Sequence, residues 1–157
     1  MLKILPYSPP DLLAINIDLE RYDPIQEEVD FTHWARSINT RTDSRYTIWD
    51  EKGVLAILFG WFVGRSSGEI CILVDKRIEQ ISIGDLKSLK KQILEILESE
   101  HRIRKVYRFQ ALVTTRLPKL QKFMEFLGFK KETILEKFEA GKYDSIVYRR
   151  FYGLGVK

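Results

Sequence analysis

The stretch LPKLQKFMEFLGF, residues 117–129, decides how this chain folds. Leu117, Leu120, Met124 and Leu127 recur at three- and four-residue steps, so they share one face of a helix. Gly128 supplies the stop, because glycine takes the left-handed backbone of a helix C-terminus without steric cost. Beyond it, Lys131 to Phe138 reads as a strand, Glu139-Ala140-Gly141-Lys142 as a turn, and Ser145 to Phe151 as the returning strand of a hairpin.

Upstream, Val106 to Val113 alternates as a strand, and Leu86, Leu89, Ile93, Ile96 and Leu97 make residues 83–98 an amphipathic helix. Leu86, Leu89, Ile93, Leu120, Met124 and Leu127 are expected to point inward from two helices that cover a sheet. Glu69 to Asp75 is almost continuously apolar, as a strand buried on both faces would be. Gly64 and Gly68 bound the preceding loop, and Gly60 implies a bulge or a close backbone approach. Tyr46 to Trp49 and Val54 to Val63 flank Asp50-Glu51-Lys52-Gly53 as a hairpin.

Nearer the start, Phe31, Trp34, Ala35 and Ile38 form a short helix with Asp30 as its N-cap, and residues 21–30 read as a loop. Pro9-Pro10-Asp11 opens an earlier helix carrying Leu12, Leu13, Ile15, Ile17 and Leu19. Leu2 to Leu5 is a first strand stopped by Pro6. Helices interrupting a hairpin-rich set of strands imply an α/β domain, 1–157, with both sheet faces covered.

Composition bounds the function. The 157 residues are 45% apolar and 31% charged, the balance of one folded domain. A formal charge of +4 is too small and dispersed to argue for nucleic-acid binding. Arg102, Arg104, Lys105 and Arg108 read as a solvated connection into a strand, and Tyr107 and Phe109 fall on one strand face as core. The lone Cys71, flanked by Ile70 and Ile72, reads as a small buried residue in a reducing compartment. His33 and His101 have no partners at ligand spacing, so no zinc site is expected. The longest apolar run, Val54 to Val63, is too short for the roughly 20 residues of a membrane span. With no signal-peptide pattern, the expected location is cytoplasmic.

The order of elements resembles the GCN5-related N-acetyltransferase (GNAT) fold along nearly the whole chain, and the Leu127-Gly128-Phe129 ending before a hairpin is its most specific match. The resemblance implies a mixed central sheet of about seven strands covered by about four helices. It also implies that Val74 and Val113 lie on adjacent parallel strands that splay apart at their C-terminal ends, opening a groove for acetyl-coenzyme A. In that family a glycine-rich turn before the third helix binds the coenzyme pyrophosphate through backbone amides. Its counterparts here are Ser82, Ile83 and Gly84, with Leu73 and Val74 lining the pantetheine groove and Glu69 as the catalytic base.

Several positions depart from that pattern. Ser82 stands for the first glycine, and Glu79 replaces a cation or amide where its carboxylate repels phosphate. Met124 occupies the place of the general-acid tyrosine and cannot donate a proton, and Leu117 replaces a frequent asparagine. This combination is similar to acetyltransferase-like proteins encoded with the virion genes of tailed phages. It implies a non-catalytic module with protein partners and no cofactor, in the host cytoplasm or the virion. The alternative is an active acetyl-coenzyme A-dependent N-acetyltransferase with a diverged cofactor loop.

Overall fold

The apolar alternation on either side of the Asp50–Gly53 turn folds as the expected hairpin in a computed structural model that describes residues 1–17, 31–64, 66–139, 141 and 143–153. Its strands are β2 (Ser44–Asp50) and β3 (Gly53–Val63). β1 (Lys3–Pro6) pairs outside β2, and β4 (Ser67–Val74) pairs inside β3. The second half of the sheet is built from β5 (Arg108–Thr114), β6 (Lys130–Glu139) and β7 (Tyr143–Phe151), giving the order β1-β2-β3-β4-β5-β7-β6. Every neighbouring pair is antiparallel except β4 and β5. Parallel neighbours need a long crossover, and the chain between them supplies one as a helix.

Four α-helices occur among the described residues: α1 (Pro9–Ala14), α2 (Phe31–Arg41), α3 (Ile83–Arg104) and α4 (Pro118–Phe126). A short 3-10 turn, Lys76–Gln80, precedes α3. The sheet separates two cores. Leu12, Ala35 and Ile38 from α1 and α2, with Ile15 just past α1, pack on Ile57, Phe59 and Leu73. Leu89, Ile93, Met124 and Leu127 from α3 and α4 pack on the opposite face against Leu58, Ile72, Val113 and Ile146. This is the mixed seven-stranded sheet expected from the sequence.

Boundaries differ where long-range contacts decide them. The α1 helix ends at Ala14 with Ile15 already extended, short of the Leu19 expected from the apolar run; Leu19, the 21–30 loop and Asp30 lie outside the described residues. Asp11 fixes α1 instead, accepting from the Ser8 amide at 2.8 Å and from the Thr47 hydroxyl at 2.6 Å. The α3 helix runs six residues past the predicted end at 98. Its last turns are held by Glu100, which accepts from the Tyr46 hydroxyl at 2.7 Å and pairs with Arg104 at 2.9 Å. Arg102 and Arg104 therefore belong to the final helical turn, where they face the negative end of the helix dipole, rather than to a connection. Lys105, at φ 58°, ends the helix.

Gly60 makes the close approach that its sequence position implies: a Cβ there would stand 2.7 Å from the Glu69 carbonyl oxygen. At the other end, the Leu-Gly-Phe string forms a Schellman cap. The Phe129 amide donates to the Met124 carbonyl at 3.0 Å, the Gly128 amide to that of Glu125 at 2.9 Å, and Gly128 has φ +84°. Phe129 and Met124 are then buried in one core. Leu89 is fully buried, so Leu89→Ala should cost about 2–5 kcal/mol in urea unfolding. A loss of a few tenths would mean that the α3 face does not form core.

Candidate functional site

The site begins where the sheet stops being continuous. β4 is laddered to β3 along its whole length, and β5 is laddered to β7 along all of its own. Between β4 and β5 only Ser67, Gly68 and Glu69 pair, with Arg108, Phe109 and Gln110. Beyond Glu69 and Gln110 the parallel strands separate, as expected for Val74 and Val113.

At the open end is a groove of about 660 Å³. Val74 and the 3-10 turn form one wall with Ile78, Glu79 and Leu86; the start of α4 forms the other with Leu117, Leu120, Phe123 and Phe126. The α4 stripe that looked like a single core face is divided. Met124 and Leu127 are buried beneath the sheet face, while Leu120 and Phe123 are half-buried and line the groove. Leu86 is likewise half-buried at the groove, rather than enclosed in the core. An apolar surface on α4 too broad for one contact, Leu117 to Leu127, was the available sequence signal.

Charge is distributed unevenly around this groove. Arg116, Lys119 and Lys122 all stand on the α4 side. Opposite them, Glu79 forms an ion pair with Lys119 at 2.9 Å, which spans the two walls. The guanidinium of Arg116 lies 4.4 Å from the Tyr143 ring centroid, and Lys90 lies 4.5 Å from that of Phe126.

The predicted phosphate turn stands at the N-terminus of α3, where the helix pattern put it. Ser82 is the N-cap of α3: its hydroxyl oxygen accepts from the Asp85 amide at 3.0 Å and its hydroxyl donates to the Asp85 carboxylate at 2.9 Å. The chain's own carboxylate thus occupies the positive end of the helix dipole. Ser82 lines a separate depression of about 280 Å³ with Arg77 and Asp85, and Ile83 is 74% exposed. Gly84 has an ordinary φ, and a Cβ there would meet only the Ser82 hydroxyl at 3.6 Å, so nothing local requires glycine. The Asp85 carboxylate at the helix start disfavours a phosphate there, whereas Glu79 lines the groove and is paired with Lys119.

Strand alternation corrects the Leu73 assignment. Val74 faces the groove, whereas Leu73 points to the other side of the sheet and is buried under α1 and α2. Glu69 sits at the last paired position, in register with Trp61 and Gln110, and the described residues give its carboxylate no hydrogen bond or ion pair. It lies roughly 16 Å along the strand from Val74, on the face shared with Cys71. Met124 is buried among apolar side chains and offers no proton.

The β4–α3 connection is held by a carboxylate–guanidinium network that the sequence reading missed. Buried Asp75 accepts from the Asn16 amide at 2.8 Å, the Arg77 amide at 2.9 Å and the Arg77 Nε at 3.0 Å. Arg77 also donates twice to Asp50 and once to the Val54 carbonyl. Arg77 is thereby turned away from the groove. No cluster of metal-ligating side chains and no helix long and apolar enough to cross a membrane occurs among the described residues.

Solved structures share this architecture. A GNAT-family acetyltransferase from Bacillus anthracis superposes with a TM-score of 0.71 at 15% identity, over 96% of this chain and 94% of its own. Ard1 from Thermoplasma volcanium gives 0.72 at 16%, over 96% and 97%. The ribosomal-protein-S18-alanine N-acetyltransferase from Escherichia coli gives 0.65 at 18%, over 100% and 99%. No family model and no curated protein sequence matches the chain. The fold is that of the GNAT acetyltransferases.

Two outcomes follow from the local chemistry. Cys71 is half-buried rather than buried as expected, and burial, with Glu69 nearby, pushes its thiol up to about 12, so iodoacetamide at pH 8 should label it much more slowly in the folded than in the denatured protein. Burial raises the Asp50 carboxyl, but hydrogen bonds from Arg77 and the Lys52 and Gly53 amides leave it below its ordinary value. A depressed carboxylate stabilises above its unfolded pKa and loses that contribution as pH falls through the folded one. Arg77→Ala should therefore cost about 1–3 kcal/mol at neutral pH. The gap from the unmodified protein should narrow below about pH 4, as read from urea titrations. A gap constant down to low pH would contradict the assignment.

Proposed function

We propose that this chain is a GNAT-fold binding module that keeps the groove between splayed strands and lacks the acetyl-transfer chemistry. The observation that carries this reading is the state of the α3 N-terminus. The Ser82 side chain caps the Asp85 amide, and the Asp85 carboxylate stands at the helix start where a coenzyme pyrophosphate would dock, while Glu79 is paired with Lys119 across the groove. Buried Met124 supports it further, since no side chain there can protonate a departing thiolate. Its partners on this reading are proteins. Attachment to a phage virion gains no support from the solved structures above.

A second reading is kept by the groove itself. Its volume lies within the roughly 300–1,000 Å³ usual for ligand sites, and its basic α4 wall could meet an anionic cofactor. An active acetyl-coenzyme A-dependent N-acetyltransferase would then hold the cofactor against α4. Glu69, at the point where the strands part, would accept the amine proton.

Melting curves separate the two. A competent site at a hundred times its dissociation constant adds about 2.7 kcal/mol, which in a domain of this size is roughly 5–10 °C. Millimolar acetyl-coenzyme A should leave the unmodified protein almost unshifted, because a carboxylate occupies the phosphate end. A clear shift would sink the non-catalytic reading. In a Glu79→Gln, Ser82→Gly variant, a shift would trace the missing affinity to those two side chains.

A further inference from the structure

We infer that the groove between β4 and α4 is a binding site for a single-chain anionic amphiphile, a long-chain fatty acid in its simplest form. The inference rests on the preceding reading that the groove persists without coenzyme A. An apolar trough of about 660 Å³ open to water is a standing cost unless something apolar covers it. Its walls, Val74, Ile78, Leu86, Leu120, Phe123 and Phe126, come from four separate elements and leave a mostly apolar floor.

The polar groups are confined to the rim and are asymmetric. The α4 rim carries Arg116, Lys119 and Lys122, against Glu79 as the one acid among the lining residues. Asp85 lines the separate depression at the start of α3 and leaves this balance unchanged. An anionic head is therefore drawn to the α4 rim. A carboxylate beside Lys119 would exchange for Glu79 as its partner, so entry costs little more than the loss of an exposed ion pair. A chain lying along the six apolar side chains then removes both its own surface and theirs from water.

The test uses cis-parinarate, a fluorescent long-chain fatty acid, titrated into the intact protein. Saturable emission at one probe per chain is expected, with displacement by oleate. Methyl oleate, which keeps the chain and lacks the charge, should compete about tenfold less well, the scale of one charge-assisted hydrogen bond. A Lys119→Glu, Lys122→Glu variant changes two exposed side chains and should lose about tenfold in affinity with its melting curve otherwise intact. Leu120→Gln should weaken oleate and methyl oleate alike. Absence of saturable binding overturns the inference and leaves the non-catalytic reading standing. Binding that ignores both the lysine reversal and the methyl ester is adsorption to apolar surface and also overturns it. Displacement of parinarate by acetyl-coenzyme A overturns both readings together.

Discussion

Three paired positions hold the two halves of this sheet to one another, and most of what is distinctive in the molecule follows from that seam. On one side, β4 is fixed by an uninterrupted ladder to β3; on the other, β5 is fixed equally well to β7. Beyond Glu69 and Gln110 the two strands part while each keeps its outer antiparallel ladder. Helix α3 connects the diverging strands and buries Leu89 and Ile93 against the sheet, while α4 lays its apolar side across the opening. The groove is a consequence of two good ladders joined by a short one.

What surrounds that gap is specific to this chain. The Asp75–Arg77–Asp50 network clamps the connection after β4 to the β2–β3 turn and uses Arg77 as a structural tie. The Ser82–Asp85 cap does the same for the start of α3. Groups that could have faced a ligand are engaged in holding the backbone, and the positive charge near the groove comes from α4 instead. Electrostatics at the site are thus set by which wall keeps its lysines, and the backbone shape alone says little about the ligand.

Strand and helix identities were legible because their periods are local properties: the 2-residue alternation marked β5, and the three- and four-residue steps marked α3 and α4 as helices. That Met124 has no proton to donate was legible from side-chain chemistry alone. Other features depended on contacts between distant residues. Glu100 extends α3 only because Tyr46 and Arg104 satisfy its carboxylate, and no local pattern announces that. The division of the α4 stripe between core and groove required knowing where β4 and β5 separate. Leu73 is a different case: strand alternation already opposed placing it and Val74 on one surface, and the resemblance to a family groove outweighed that rule.

The Schellman cap at Gly128 bears on how such chains are recognised at all. Glycine there is favoured by its left-handed backbone, at φ +84°. Phe129 is required by its place in the core. Selection for a folded domain is therefore sufficient to preserve the Leu-Gly-Phe string, whatever becomes of the chemistry at the other end of the sheet. The string by which the chain is recognised is inherited architecture, and its survival carries no information about turnover.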